Sequence, residues 1–140
     1  MQVLFDYIYQ LNWFAVVAAA FVGFMVNAAW YSDRLFGKEW KKSIKLKRKD
    51  DTKPGFELAL VISFILTIIT SAGVGVLIDV LHVDGAFNGV LIGVLVAFAF
   101  IVTTTGMHEL FERRPFAHFA ITSVGNILTL AAIGAILAVW

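Results

Sequence analysis

Apolar residues in this chain fall into four unbroken runs instead of alternating with polar ones. The runs cover residues 12–31, 56–78, 85–107 and 116–139, and none has an ionisable side chain in its interior. Each reaches the roughly 20 residues that a helix needs to cross the hydrocarbon core. Backbone groups in lipid must bond to one another, which leaves helices or a closed barrel. Barrel strands would be about 10 residues long and would alternate in polarity, and these runs do neither. The pattern predicts an all-α protein, an integral membrane four-helix bundle forming a single transmembrane domain over residues 1–140.

Between the first two runs lies a polar segment, residues 32–55. Within its stretch RLFGKEWKKSIKLK, Phe36, Trp40 and Ile44 recur every four residues among lysines. That spacing predicts a short amphipathic helix lying on the membrane surface. The polar turn KRKDDTKPG follows, and Pro54-Gly55 separates it from the second span.

Composition supports the membrane reading. The chain is 60% hydrophobic and 15% charged, against about a quarter charged in a soluble domain. The net charge of +1 suggests no partner, but its distribution does. Nine of the eleven Lys and Arg residues lie between the first and second spans, and the other two, Arg113 and Arg114, lie between the third and fourth. The positive-inside bias places both loops in the cytoplasm and both termini outside, in a bacterial cytoplasmic membrane. MQVLFDYIYQ has no basic residue and carries Asp6, so it does not read as a secretory leader. The basic segment 34–49 suits anionic lipid, each charge near such a surface contributing about 1 kcal/mol. It is too short and too close to the membrane to suggest nucleic acid. There are no cysteines, which excludes thiolate chemistry and disulfides.

Small or polar residues recur every four positions in three spans: Ala15, Ala19, Gly23 and Asn27; Ala59, Ser63, Thr67, Ser71 and Gly75; Gly85, Gly89, Gly93 and Ala97. Gly134 and Ala138 form a shorter row in the fourth. Such rows let helix backbones approach closely. Three long seams exceed what one small bundle needs, so self-association is expected, with the glycines of the third span at the subunit contact.

Asn27 and Asn126 are the strongest hydrogen-bonding side chains within the spans. An amide in hydrocarbon needs a partner, so both should face protein or trapped water. With Thr67, Thr70, Ser71 and Thr122 they are candidates for interhelical contacts or for the polar lining of a small-solute path. No Asp, Glu, Lys, Arg or His occupies a central membrane position, which argues against a proton pump built on buried carboxylates.

The stretch TTTGMHELFERRPFAHF concentrates His108, Glu109, Glu112, Arg113, Arg114 and His118. Zinc proteases use HExxH on a helix; here the second histidine is missing, and two ligands do not make a metal site. The expected roles are an interfacial turn or a contact for a membrane partner at the inner mouth. No catalytic residue, metal or cofactor is expected.

Several of these pieces also carry a resemblance. NWFAV opens the first span, AAWYSDRLFGKEW closes it, LFERRP forms the third loop and GAILAVW ends the chain. From Asn12 to Trp140 the chain resembles bacterial membrane proteins grouped as domain of unknown function 1761. The match is strongest at Trp30, Tyr31, Phe36, Gly37 and Trp40, and again at Glu112, Arg113, Arg114 and Pro115. Asp33 departs from it, standing where a proline is expected. The resemblance implies a four-helix integral membrane protein and brings no activity with it. The overall expectation is a non-catalytic structural or accessory homo-oligomer, with a small channel or carrier as the alternative.

Overall fold

The computed structural model describes residues 2–45 and 54–140. The lipid contacts expected of Lys47, Arg48 and Lys49 fall outside those residues. In chain order the elements are α1 (Gln2–Gln10), α2 (Trp13–Trp30), α3 (Gly37–Ser43), α4 (Phe56–Val80), α5 (Ala86–Val96), a π-helical segment (Ala97–Val102), α6 (Thr103–Phe111) and α7 (Phe116–Leu137). Among the described residues there are no strands. Four helices are long and apolar enough to cross a membrane: α2, α4, the continuous helix Ala86–Phe111, and α7. Between 22% and 39% of each is buried inside the protein, so most of each surface is left to lipid.

The boundaries follow local chemistry. Asn12 caps α2, its side chain accepting from the Ala15 N–H at 3.2 Å. α4 and α6 end where His82 and Arg113 adopt φ of 50° and 54°. In both turns the next N–H reaches back five residues, Val83 to the Ile78 carbonyl and Arg114 to the Glu109 carbonyl. This closure more often places glycine at the left-handed position. Pro115 then blocks further helix before α7 begins.

Three features differ from expectation. α1 was not foreseen; none of its residues is buried, and it lies against α4 where α2 begins. The surface helix α3 is shorter than its hydrophobic period suggested and docks on α7. The third span runs on to Phe111 and carries the π segment.

α7 is the axis of the bundle, packing against α2, α4 and α5, whereas α4 and α5 touch each other little. The α5–α7 contact brings backbones together. A Cβ at Gly93 would stand 2.0 Å from the Leu130 carbonyl oxygen, one at Gly89 2.1 Å from that of Gly134, and one at Gly134 2.1 Å from that of Gly89. The expected subunit contact through these glycines is therefore corrected. The face of α5 that carries them is filled by α7 of the same chain, because only there can two backbones come this close. Gly23 receives Ile133 of α7, and Gly75 receives Leu11. Gly85 packs against nothing; its φ of 89° turns the chain into α5, and its N–H reaches the Ala138 carbonyl at 3.0 Å.

The row on α4 divides. Ser71 and Gly75 are buried, whereas Ala59 and Ser63 are exposed and Thr67 is half-covered. The Ser71 hydroxyl, fully buried, donates across the interface to the Val16 carbonyl at 2.9 Å. Thr67 instead donates to the Ser63 carbonyl of its own helix. Ser71→Ala is expected to lower stability by about 0.6–1.7 kcal/mol, and Thr67→Ala by much less, read as unfolding midpoints in detergent. Equal losses would mean the interhelical bond contributes nothing beyond a local one.

Candidate functional site

The polar side chains converge at the end of the bundle that carries the 32–55 segment, here the basic end. Four elements build the site: the end of α2, the short α3, the last turns of α6 and the first turns of α7. Between them lies a cavity of about 490 Å³, lined by Tyr31, Trp40, Ile44, Thr105, His108, Glu109, Glu112, Arg114, His118 and Thr122.

Helix phase explains why Glu109 is part of it. Gly89, Gly93 and Ala97 mark the buried face of α5. An uninterrupted α-helix would continue that face near residues 100, 104 and 108. The π segment adds about one residue to a turn, so the buried positions become Val102 and Glu109, and His108 is turned to the rim. The extra residue thus turns a carboxylate inward.

Glu109 and His118 are 8% and 7% exposed. Oε1 of Glu109 lies 3.4 Å from Nε2 of His118. On the other side of the ring, Nδ1 lies 3.0 Å from the Ser43 hydroxyl oxygen. That hydroxyl donates to the Trp40 carbonyl at 2.6 Å. The direction of the Ser43–His118 contact follows the imidazole tautomer: an Nδ1–H donates to the serine oxygen, whereas a bare Nδ1 competes with the Trp40 carbonyl for the serine proton. Among the described residues, Oε2 of Glu109 is buried with no hydrogen-bond partner.

Aromatic rings roof the cavity. The Trp40 indole stacks over the His118 ring at 6.3 Å between centroids and meets Tyr31 edge-on at 5.2 Å. Below it, Trp30 donates from Nε1 to the Ile121 carbonyl at 2.9 Å and lies against Gly125. Phe36 closes over Trp30 at 4.3 Å. These contacts hold α3 down over the bundle end, with Asp33 and Lys41 3.4 Å apart across its entry turn. Tyr31 follows the α2 span, and its phenol is pushed above its ordinary value. Burial is the main cause; the nearby Thr122 hydroxyl opposes the shift and the Glu109 carboxylate adds to it.

Of the residues singled out from the sequence, His108, Glu109, Glu112, Arg114, His118 and Thr122 line this one cavity. Arg113 does not; it forms the turn, while Arg114 pairs with Glu112. The proposed polar lining does not gather. Thr67 and Thr70 bond to their own helix, Ser71 bonds to α2, and neither Asn27 nor Asn126 borders the cavity. Ser43, Tyr31, Trp40, Ile44 and Thr105 were not foreseen as members. The period of Phe36, Trp40 and Ile44 was the available signal, but it was assigned to lipid. Among the described residues, no group of three or more His, Asp or Glu side chains is placed to hold a metal.

Residues 14–138 match the family described as Protein of unknown function (DUF1761). No curated protein and no solved structure matches the chain.

Proposed function

The chain belongs to the DUF1761 family, and from that premise we propose that it is a non-catalytic structural or accessory protein that self-associates in the membrane. The observation that carries this reading is the destination of the hydroxyl groups in the spans. Ser71 bonds the next helix, and Thr67, Thr70, Thr103, Thr104 and Thr129 bond carbonyls one turn back. Ser71 ties two helices and the threonines are satisfied on their own helix, so none of these hydroxyls is offered to a path; among the described residues, the span hydroxyls buried without a partner are Thr122 and Ser123 of α7. The exposed part of the α4 row, Ala59 and Ser63, supports self-association through α4. Disulfide crosslinking of Ser63→Cys in membranes should trap a dimer, with Gly73→Cys on the same helix as control. Equal trapping at both positions, or none at Ser63, ends the α4 contact.

The non-catalytic part rests on the serine proton. Ser43, His118 and Glu109 stand in the order of a nucleophilic triad, in which the imidazole must accept the serine proton. Here the Trp40 carbonyl, 2.6 Å from the hydroxyl, competes with the imidazole for that proton. We place the basic end in the cytoplasm, because the charge bias favours that side. The lysines of segment 34–49 then face anionic lipid. The membrane is proposed to be the bacterial cytoplasmic one, with an unidentified membrane partner as a further occupant of the accessory role.

One observation favours the channel or carrier alternative. Among the described residues, the side chains of Asn27 and Asn126 make no hydrogen bond. They lie one turn from Tyr31 and Thr122, which border the cavity, so on each helix the polar face continues toward mid-membrane. If the alternative holds, the double variant Asn27→Leu, Asn126→Leu abolishes solute flux into liposomes; under the structural reading, wild type and variant are equally tight.

A further inference from the structure

A second cavity adjoins the first. It has a volume of about 250 Å³, and Gly106, Leu110, Phe116 and Phe119 give it apolar walls. Glu109 and Arg114 border both cavities, so an acid and a base stand where a chamber of mixed aromatic and charged lining meets an apolar one. Leu110 and Phe116 are 81% and 78% exposed, large apolar side chains left uncovered beside the slot. The arrangement suits an amphiphile: a chamber under Trp40 with aromatic faces and charged side chains, a charged junction, and an apolar slot walled by Phe116 and Phe119.

Glu109 specifies the polar part. One carboxylate oxygen faces His118, and the other is buried without a donor. A buried carboxylate oxygen left without a donor is costly, so a ligand that brings an N–H gains what the fold leaves unmade. The carboxyl turns on a soft terminal torsion, which lets Oε2 reach into the chamber. Tyr31 and Trp40 supply faces that attract a cation. Arg114, already in contact with Glu112, keeps further guanidinium donors for a phosphate.

We propose that the basic-end cavity seats the headgroup of a zwitterionic aminophospholipid, its primary ammonium on Glu109, its phosphate near Arg114 and one acyl chain along Phe116 and Phe119. An aromatic chamber alone would take a trimethylated ammonium at least as well, since cation–π attraction needs no N–H. The orphan carboxylate oxygen selects the primary amine, whose three donors the trimethylated group lacks. The seat differs in kind from the anionic-lipid contact proposed for the lysines of segment 34–49, which would read charge alone.

The test uses purified full-length protein in detergent micelles doped with phosphatidylethanolamine or phosphatidylcholine of matched chains. Binding is read from tryptophan emission and from lipid retained on native mass spectrometry. Wild type should bind the ethanolamine lipid about tenfold or more tightly than the choline lipid. Glu109→Gln should remove that preference, and Asp84→Asn at the opposite end should leave it intact. Equal affinity of wild type for the two lipids overturns the proposal, a result that needs no variant to fold. A Glu109→Gln protein that keeps the preference also overturns it. A third arm adds free phosphoethanolamine: competition at concentrations matching the lipid would show that the site takes a soluble amine, which overturns the lipid source. Failure of all three arms leaves the structural reading untouched, because that reading rests on the hydroxyl groups of the spans.

Discussion

Gly93→Ala is expected to be among the most damaging single-methyl additions in the protein. The new Cβ would lie 2.0 Å from the Leu130 carbonyl oxygen, 2.5 Å from its carbon and 2.9 Å from the Cα of Ala131. All three are backbone atoms, so no side chain can swing aside. Either the two helices separate along the seam or the α7 backbone bends. Overpacking usually costs about 1–3 kcal/mol, and with no flexible neighbour the upper end is expected. Separation would also forfeit the close contact that replaces a hydrophobic driving force in lipid. Gly73→Ala is the matched control, because a Cβ there meets nothing within 4 Å. Alanine is the better helix former by roughly 1 kcal/mol in water, so this variant should unfold no more easily than wild type. Reversible unfolding in mixed micelles, followed by far-UV circular dichroism, measures both. Coincident midpoints for Gly93→Ala and Gly73→Ala would show that the α5–α7 approach is looser than described.

The second large effect is local. A Cβ at Gly37 would stand 2.2 Å from the Tyr31 carbonyl oxygen and 2.8 Å from the Ser32 carbonyl carbon and oxygen. This turn folds α3 back over the bundle end, and the Gly37 N–H already donates to the Ser32 carbonyl at 3.0 Å. Gly37→Ala should lift α3 away. A helix of seven residues has no stability of its own, so once lifted it unravels. A docking penalty of about 2 kcal/mol corresponds to a roughly thirtyfold rise in the open population. Trypsin cleavage after Lys38, Lys41 and Lys42 should accelerate by a similar factor, with Trp40 emission moving to the red. The unfolding midpoint of the spans should stay in place, since Gly37 lies outside them. Unchanged cleavage kinetics would mean that the roof is not held by this turn.

Different parts of this molecule were legible in the sequence to different degrees, for physical reasons. The spans could be read because lipid imposes a length and forbids interior charge, and both constraints leave long apolar runs. Rows of small residues could be recognised as seams, but their partner could not. Gly89 and Gly93 look the same in sequence whether they meet α7 or a second copy; only the backbone approach to Leu130 and Gly134 decides it. Half of the candidate site was visible, since His108, Glu109, Glu112, Arg114 and His118 crowd into one short stretch. The other half arrives from elsewhere in the chain. Trp40 and Ser43 share a helix whose apolar period fits a lipid surface as well as a protein one, and only the docking on α7 turns Trp40 toward His118. The π segment left no readable trace, because AFAFIV suits an α-helix equally, yet it sets which of His108 and Glu109 is buried.

α7 meets α2, α4 and α5, and it follows all three in chain order. While the ribosome is still making the earlier helices, only the α2–α4 hairpin has a substantial partner. The glycine-lined face of α5 waits, bordered by lipid, until α7 has been made, a delay of about one to several seconds at roughly 5–20 residues per second. Assembly is thus a closing step performed by α7. Truncation there removes the surface that both the α2–α4 hairpin and the third span are shaped to receive.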